Sequence, residues 1–492
     1  MGSIEALAGD VSSKVLSFVV PHAIHACRSA SRSLREAASD EEVWKDWVLR
    51  TYLRDVARSA GDGADFLDDG TCVLDEPCGP EARGALDGAS SGVERVDSWR
   101  VAAERWHETA DRVGETDAAF DGAAWLEVAR AWRRVEAFCA ARCGDVLRSL
   151  RPGASTADLV EAEPISRSLK YAYAVHDGQD LAFFDAMRRR DRAAMLRSSA
   201  TAFHGLFGGF SAYNYVVCMR LLPLRLGAAQ TAHARDRLDD ARGAANAAPR
   251  GFRVFADGFT DDRETSVTDD DAGVHSGGGA AEPLCPAGPH AFARWFGEYA
   301  RRLAAGIYRV APIVPDEQDS KGIVLFADGG EDCAVATTRG VHVRASAVYI
   351  RGAAVTNGFA YSIRLSIIAD ANADAAACQL KTRHWRIQDG EGRPTEVRGE
   401  GVVGKFPVLN AAGWRDDSQV GDMSAGFARA VERGTQRGGA FVYQSFSGPM
   451  HSGAGSFEGD LEFTPGEVLQ PTGAPFQVVV PRFYLHRPEF IY

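Results

Sequence analysis

The sequence has no long apolar run and no basic N-terminus. Its longest apolar stretches, 15–20 and 213–219, end at Pro21 and Arg220. Both fall short of the roughly 18 apolar residues that cross a bilayer. The opening MGSIEALAGD is acidic and lacks the basic region of a secretory signal. We therefore expect a cytoplasmic or nuclear protein with no membrane partner.

The sequence also lacks an excess of positive charge. Its 55 Lys and Arg residues are outnumbered by 67 Asp and Glu residues, which gives a formal net charge of −12 at pH 7. Because such a surface repels phosphates, nucleic acid is not expected as the main partner. At 492 residues the chain is too long for one hydrophobic core, and its length suggests about three domains.

The nine cysteines show no repeated spacing, which excludes a disulfide framework. Cys139 and Cys143 lie one helical turn apart and are the one pair that could share a metal ion. No nearby second pair of Cys or His completes a tetrahedral site. Buried thiols are therefore predicted, and neither a metal ion nor another cofactor is expected.

The first 55 residues have the apolar spacing of three short helices, and Pro21 ends the first of them. Ser39 and Glu42 form a predicted capping box for the third. Residues 56–98 are rich in Gly, Asp and Ser and predict a flexible linker. Helices this short cannot bury much apolar surface by themselves.

Residues 99–310 predict a mixed helical and strand region with two prominent amphipathic helices. The apolar face of the first consists of Trp125, Val128, Trp132, Val135 and Phe138. The apolar face of the second consists of Phe292, Trp295, Phe296, Tyr299 and Leu303. Two biased insertions, 227–250 and 261–282, have few apolar residues and are predicted to be loops.

From about residue 334 the apolar period changes to two, as in Val341, Val343 and Ala345. Further strands are predicted at 361–367, 383–387, 441–446, 457–463 and 476–485. Short strands separated by turns over 334–492 indicate a β-sandwich. The segment 413–440 is predicted to be an insertion that interrupts it.

Two short motifs leave chemical alternatives open. The pattern Gly399-x-Gly401-x-x-Gly404 resembles a dinucleotide fingerprint, but Pro407 blocks the helix that a Rossmann site requires. What remains is a glycine-rich turn, or a small anion or peptide site that uses Arg383 and Arg398.

The second motif is the neighbouring pair His176 and Asp177. Adjacent side chains in a turn do not aim at one another, and no nucleophile elbow is recognisable. Because Asp177-Gly178 is a favoured turn dipeptide, this motif predicts a structural corner rather than a catalytic pair.

Three sets of residues carry a family resemblance. The N-terminal set resembles an F-box: Leu7, Val15-Leu16-Ser17-Phe18, Pro21, Ile24, Ser31-Arg32, Leu34 and Trp44. The middle set is similar to a SUKH domain: SLRPGA at 149–154, YAVHDGQ at 173–179 and GLFGGF at 205–210. The last set is similar to an ApaG domain: RHWRI at 383–387, EVRGEGVVG at 396–404, PVL at 407–409, SFEG at 456–459 and VPRF at 480–483.

In this order the three sets resemble the F-box only protein 3-like family. The resemblance implies a multidomain α+β chain, with a three-helix F-box at 1–55 and a mixed α/β SUKH-like domain at 99–310. It also implies an all-β ApaG sandwich at 334–492, of the immunoglobulin or fibronectin-III type. The implied function is the substrate-recognition subunit of a Skp-cullin-F-box ubiquitin ligase, which has no catalytic residues of its own.

The implied partners are the Skp adaptor, a cullin scaffold reached through the adaptor, and target proteins that are not identified. The predicted adaptor face consists of Leu7, Val11, Val15, Leu16, Phe18, Pro21, Ile24 and Trp44. Two alternatives stay open. One is a binding protein that no longer engages the adaptor, and the other is an ApaG domain that recognises a phosphorylated small molecule or peptide.

Overall fold

The computed structural model describes part of the chain. The described residues are 32–40, 43–44, 47, 99–115, 119–162, 165–182, 192–194, 199–212, 215–229, 251–257, 265–268, 274–276, 282–350, 358–368, 377–391, 394–417, 435–450 and 454–492. The predicted linker at 56–98 lies outside them, as does most of the predicted three-helix region.

The described N-terminal residues include helix α1 (Arg32–Ala37), inside the predicted second helix, and the helical residues Val43, Trp44 and Trp47. The Ser39 hydroxyl donates a hydrogen bond to the Arg35 carbonyl oxygen at 2.7 Å. The Val43 amide donates to the Asp40 carbonyl oxygen at 3.1 Å. The hydroxyl of Ser39 is therefore tied to the preceding helix. Glu42, the other member of the predicted capping box, lies outside the described residues.

The middle region has a helical layer packed on a sheet. Its helices are α2 (Trp99–Arg112), α3 (Gly122–Arg142), α4 (Gly144–Ser149), α5 (Thr156–Glu161), α6 (Arg167–Val175) and α7 (Ala291–Ala304). Both predicted amphipathic helices are confirmed as α3 and α7. Helix α3 begins at an N-cap, where an Asp121 carboxylate oxygen accepts a hydrogen bond from the Ala124 amide at 3.0 Å.

The apolar faces of α3 and α7 meet in the core. Trp132 and Phe296 make an edge-to-face contact with ring centroids 4.9 Å apart, a favourable geometry for aromatic pairs. Trp295 and Tyr299 are completely buried on the same face of α7. These two helices therefore supply much of the aromatic core of the middle region.

The sheet of the middle region has seven strands: β1 (Gly209–Ala212), β2 (Tyr215–Leu221), β3 (Gly251–Asp257), β4 (Thr265–Thr268), β5 (Val274–Ser276), β6 (Arg309–Pro312) and β7 (Lys321–Val324). Their order across the sheet is β5-β4-β3-β2-β1-β7-β6. Strands β1 and β7 are parallel, and the other neighbours pair antiparallel.

Two of these strands correct the prediction of a loop at 261–282. Thr265–Thr268 pairs with β3, and Val274–Ser276 pairs with Thr265–Thr268. The prediction was wrong because both strands are short and carry few apolar residues. These strands form through backbone hydrogen bonds at the edge of the sheet, and an apolar alternation does not mark them in the sequence.

The C-terminal region consists of two further sheets, which agrees with the predicted sandwich. One contains β8 (Cys333–Thr338), β9 (Val341–Tyr349), β10 (Gly358–Ile367) and β15 (Phe441–Pro449), which lie in the order β15-β10-β9-β8. The other contains β11 (Ala377–Asp389), β12 (Pro394–Glu400), β13 (Pro407–Asn410), β14 (Gly413–Asp416), β16 (Ala454–Glu467), β17 (Gln470–Pro471) and β18 (Phe476–His486).

Aromatic side chains join the two sheets of the sandwich. Tyr361 on β10 lies 4.6 Å from Phe457 on β16, measured between ring centroids. Tyr443 on β15 stacks on Trp385 of β11 at 6.2 Å. The predicted insertion at 413–440 is too wide, because Gly413–Asp416 pairs with β13 as a strand. Residues 418–434 lie outside the described residues.

Strand β10 shows that the sandwich is not an isolated module. Every residue from Gly358 to Leu365 is buried, so both faces of this strand are covered. One face packs inside the sandwich. On the other face the Arg364 guanidinium donates to the Ala327 carbonyl oxygen at 2.6 Å, in the segment that links the two regions. The middle and C-terminal regions therefore share an interface, called the joint below.

Most of the cysteines that the structure describes are buried, as the sequence predicts. Cys139, Cys218, Cys285, Cys333 and Cys378 are buried, and Cys143 is half-buried. Burial raises the pKa of Cys378 to about 12, so its thiol stays protonated at neutral pH. Across the described ranges, no helix combines the length and the apolar character needed to cross a bilayer.

Candidate functional site

The predicted adaptor face lies almost entirely outside the described residues. Only Trp44 is described, and its side chain has no exposed surface. Its indole N–H donates to the Ala38 carbonyl oxygen at 3.0 Å. Val43 and Trp47 are also buried. In this structure Trp44 therefore packs in the core of its own chain and offers no surface to a partner, which removes it from the predicted face.

The glycine-rich motif forms a tight hairpin turn. Val402 and Lys405 exchange two backbone hydrogen bonds of 2.9 Å. The two residues between them, Val403 and Gly404, have φ angles of +50° and +71°. Positive φ at both central positions is typical of a type I′ turn, which glycine adopts without steric cost. Turn geometry thus accounts for Gly404.

The remaining groups of the predicted anion or peptide site are largely used within the chain. The Gly401 amide donates to the Lys381 carbonyl oxygen at 2.9 Å. The Arg383 guanidinium lies against Gly399 and donates to the carbonyl oxygens of Glu400 and Gly401 at 2.9 and 2.7 Å. Arg398 is the exposed cation of the set, and it pairs with Glu396 at 3.3 Å. Arg383 therefore braces the turn, and the Gly401 amide is already occupied.

The histidine corner has the structural role that the sequence predicts. A ring nitrogen of His176, Nε2, lies 2.7 Å from a carboxylate oxygen of buried Glu136, not from Asp177. Asp177 accepts a hydrogen bond from the Leu224 amide at 2.8 Å. Gly178 has a φ of +73°, and an added Cβ would lie 2.5 Å from the Pro223 nitrogen. The two side chains point to different partners, as expected for a corner.

Gln179 connects all three motifs of the middle region. Its side-chain amide donates to the Ser149 hydroxyl and the His204 carbonyl oxygen, both at 2.7 Å. Its side-chain oxygen accepts from the amides of Leu206 and Leu221 at 2.9 and 3.3 Å. Gln179 is completely buried. Gln179 is the last residue of the YAVHDGQ motif at 173–179. Its partners lie far away along the chain, so the motif alone does not predict this role.

The joint is held by polar contacts and by the last residues of the chain. The Ser211 hydroxyl of β1 lies 2.8 Å from the Gln444 side-chain oxygen of β15. The Trp295 indole N–H donates to the Ile491 carbonyl oxygen at 2.8 Å, and the Tyr492 hydroxyl donates to the Trp295 carbonyl oxygen at 3.0 Å. Residues 487–492, called the C-terminal tail below, therefore fasten the sandwich to helix α7.

A cluster of arginines surrounds one carboxylate at the joint. Arg309 of β6, Arg344 of β9 and Arg364 of β10 lie 3.3, 2.8 and 3.4 Å from the carboxylate oxygens of Asp328. We call these four residues the Asp328 cluster. Sequence reasoning missed it, because the four residues come from separate strands and one connecting segment of two regions.

A small cavity lies at the joint, and none of the four residues of the Asp328 cluster lines it. Its volume is about 60 Å³, and its lining includes Ala327, Tyr308, Phe359, Tyr484 and Tyr492. Ligand pockets for small organic molecules are usually about 300–1,000 Å³. This cavity is therefore too small to serve as an enclosed small-molecule site.

Comparisons with known proteins find an ApaG domain and similarity to proteins named as F-box proteins. A family model described as the ApaG domain matches residues 353–414, which places an ApaG domain in the C-terminal part of the chain. The F-box protein SKIP16 of Arabidopsis thaliana is 28% identical over 401 residues, covering 73% of this chain and 79% of its own. F-box only protein 3 of Homo sapiens is 32% identical over 24% of each chain. Protein ApaG of a Bradyrhizobium strain is 35% identical over 24% of this chain and 66% of its own.

Proposed function

We propose, from the confirmed resemblance to the F-box only protein 3-like family, that this chain is the substrate-recognition subunit of a Skp-cullin-F-box ubiquitin ligase. The observation that carries the proposal is the similarity to an F-box protein over 73% of the chain. That similarity extends well beyond the ApaG match at 353–414. The proposal is therefore supported by similarity over most of the chain and not by the ApaG domain alone.

Docking on the Skp adaptor is the first part of the proposed mechanism. Three short helices bury little apolar surface by themselves, so an apolar face remains for a partner. Seven side chains form the face proposed here, Leu7, Val11, Val15, Leu16, Phe18, Pro21 and Ile24. Burying each one is worth roughly 1.5–3 kcal/mol, against a docking cost on the order of 4–15 kcal/mol. The seven together come to roughly 10–21 kcal/mol, which exceeds the docking cost over most of its range.

Target binding by the middle and C-terminal regions is the second part. The joint and the C-terminal tail support a unit in which the two regions keep one relative orientation. A rigid unit of this kind would hold a target lysine near a charged ubiquitin-conjugating enzyme and raise its effective concentration. The chain would then contribute proximity, and the recruited enzyme would form the bond. Action in the cytoplasm or nucleus is part of this proposal.

Co-purification with the Skp adaptor tests the proposal. The double variant Leu16→Asp, Phe18→Asp places two charges on the proposed face. We expect the wild-type chain to recover the adaptor and this variant to lose at least about 90% of it, because burying a carboxylate without a partner is costly.

A matched control uses two apolar residues exposed elsewhere. Val160 is 49% exposed and Leu469 is 53% exposed. The variant Val160→Asp, Leu469→Asp carries the same charge change and should recover as much adaptor as the wild type. Equal recovery by all three proteins, or none by the wild type, would refute adaptor binding through this face.

A further inference from the structure

The Asp328 cluster concentrates positive charge in a chain that is negative overall. Three guanidinium groups surround one carboxylate, so the cluster has an excess of two positive charges. Over the described ranges, Asp328 is the only carboxylate within 4 Å of any of the three groups. The chain as a whole has a formal charge of −12. Such a local excess at a partly buried place is electrostatically costly unless an anion balances it.

The three arginines differ in how many donors they have already used. Arg364 is 3% exposed, and it donates to the Ser346 hydroxyl at 3.2 Å and to the Ala327 carbonyl oxygen at 2.6 Å. The side chains of Arg309 and Arg344 are 33% and 42% exposed. The contact of Arg309 with Asp328 is made by Nε at 3.3 Å, and the terminal nitrogens of Arg309 donate no hydrogen bond within the described residues. Arg364 therefore supplies a buried positive charge, while Arg309 and Arg344 have hydrogen-bond donors that remain available at the surface.

Neighbouring polar groups hold Arg344 in place. The Nε of Arg344 donates to His342 Nε2 at 3.2 Å, and His342 Nδ1 lies 3.0 Å from the Thr337 hydroxyl. Burial, with a smaller effect from Arg344, lowers the pKa of His342. The Arg344 Nη2 atom has no hydrogen-bond partner within the described part of the chain. Its side chain is therefore fixed at one end and has donors available at the other.

We propose that the Asp328 cluster binds a dianionic phosphoryl group through Arg309 and Arg344, with Arg364 contributing buried positive charge. A phosphoryl group carries close to two negative charges at neutral pH, which matches the excess of the cluster. Its oxygens also suit the planar donor forks of arginine. The group could be free phosphate or a phosphorylated side chain of a partner, and both present the same oxygens. This proposal does not depend on adaptor binding.

Calorimetric titration of the full-length chain at pH 7.5 and low salt tests the proposal. The probes are inorganic phosphate, N-acetyl-phosphoserine methylamide and the corresponding unphosphorylated serine compound. We expect saturable binding of at least one phosphorylated probe and none of the serine compound. Phosphoserine binding about tenfold or more tighter than phosphate would identify a phosphorylated side chain as the source. Equal affinities would identify free phosphate.

Single variants locate the binding site. Arg309→Gln and Arg344→Gln should each weaken binding about tenfold or more, because each removes charge-assisted hydrogen bonds. The control is Arg482→Gln. Arg482 is 51% exposed and pairs with Glu458, and both residues lie on the sheet of the sandwich that does not contain Arg344 and Arg364. Asp328→Asn should strengthen binding by removing the competing carboxylate. Absence of saturable binding, or equal weakening by Arg482→Gln and the two cluster variants, would overturn the proposal.

Discussion

At the scale of single residues, buried polar side chains determine how distant motifs meet. Gln179 satisfies backbone and side-chain groups from three segments, and it does so without exposure to water. A buried polar group of this kind stabilises only while its partners are all present. The side chain at this position must donate hydrogen bonds through its amide nitrogen and accept them through its oxygen, and glutamine does both.

Replacing Gln179 by leucine tests that role. The side-chain volume is nearly kept, but the hydrogen bonds to Ser149, His204, Leu206 and Leu221 are lost. We expect the free energy of unfolding to fall by roughly 2–4 kcal/mol, because buried donors and acceptors are left without partners. Denaturant unfolding followed by circular dichroism measures the change.

The control for this prediction is Gln477→Leu on β18. Gln477 is exposed, and its side chain makes one hydrogen bond, of 3.3 Å, to Glu462. The expected change is within about 0.5 kcal/mol. Equal changes for the two variants would contradict the role assigned to Gln179.

Single residues also mark a limit of sequence reasoning. The alternation in β9 and β10 correctly assigns Val341, Val343 and Ile363 to the inner face of the sandwich. By the same alternation Arg364 would belong to the outer, solvent face, yet its side chain is 3% exposed and contacts Ala327 and Asp328 of the connecting segment. A period of two distinguishes the faces of a strand, but it does not tell whether a second region covers the outer face.

At the scale of elements, strong apolar periodicity predicted what the structure contains. Helices α3 and α7 and most long strands of the sandwich lie where the sequence predicts them. The strands Thr265–Thr268 and Val274–Ser276 were missed because pairing, not apolar character, defines them. The glycine turn was predicted as a turn, but the bracing by Arg383 was not, since it depends on a side chain that reaches from the neighbouring strand.

The C-terminal tail is the element with the clearest energetic prediction. Tyr492 is buried against Trp295 and Tyr299, with ring centroids 5.1 and 5.2 Å apart. Tyr492→Ala should lower the free energy of unfolding by roughly 3–5 kcal/mol, because it leaves a cavity in an aromatic core. Because the tail joins two regions, both should become less stable. Denaturant unfolding monitored by tryptophan fluorescence and circular dichroism measures this effect.

A second tyrosine provides the comparison for the tail. Tyr484 is 67% exposed on β18. Tyr484→Ala removes the same side chain and should change stability by less than about 0.5 kcal/mol. A Tyr492→Ala protein as stable as Tyr484→Ala would show that the tail does not fasten the two regions in solution.

At the scale of the whole molecule, the middle and C-terminal regions form one connected core. Buried residues from α3, α7 and both sheets of the sandwich belong to the same apolar cluster. Polar contacts at the joint, such as Ser211 with Gln444, give this interface a defined geometry. The ApaG domain of the C-terminal region could be predicted from the sequence, whereas the F-box and SUKH-like assignments stay predictions. The joint could not, since it depends on residues from separate motifs that meet only in the folded chain.

The proposed function requires that the N-terminal region bind a Skp adaptor while the rest of the chain stays folded. Light scattering during size-exclusion chromatography of the purified full-length chain, mixed with purified adaptor, tests it most directly. We predict a single species whose mass equals one copy of each protein, and its loss in the Leu16→Asp, Phe18→Asp variant. Separate elution of the two wild-type proteins at micromolar concentrations would rule out the proposed adaptor binding.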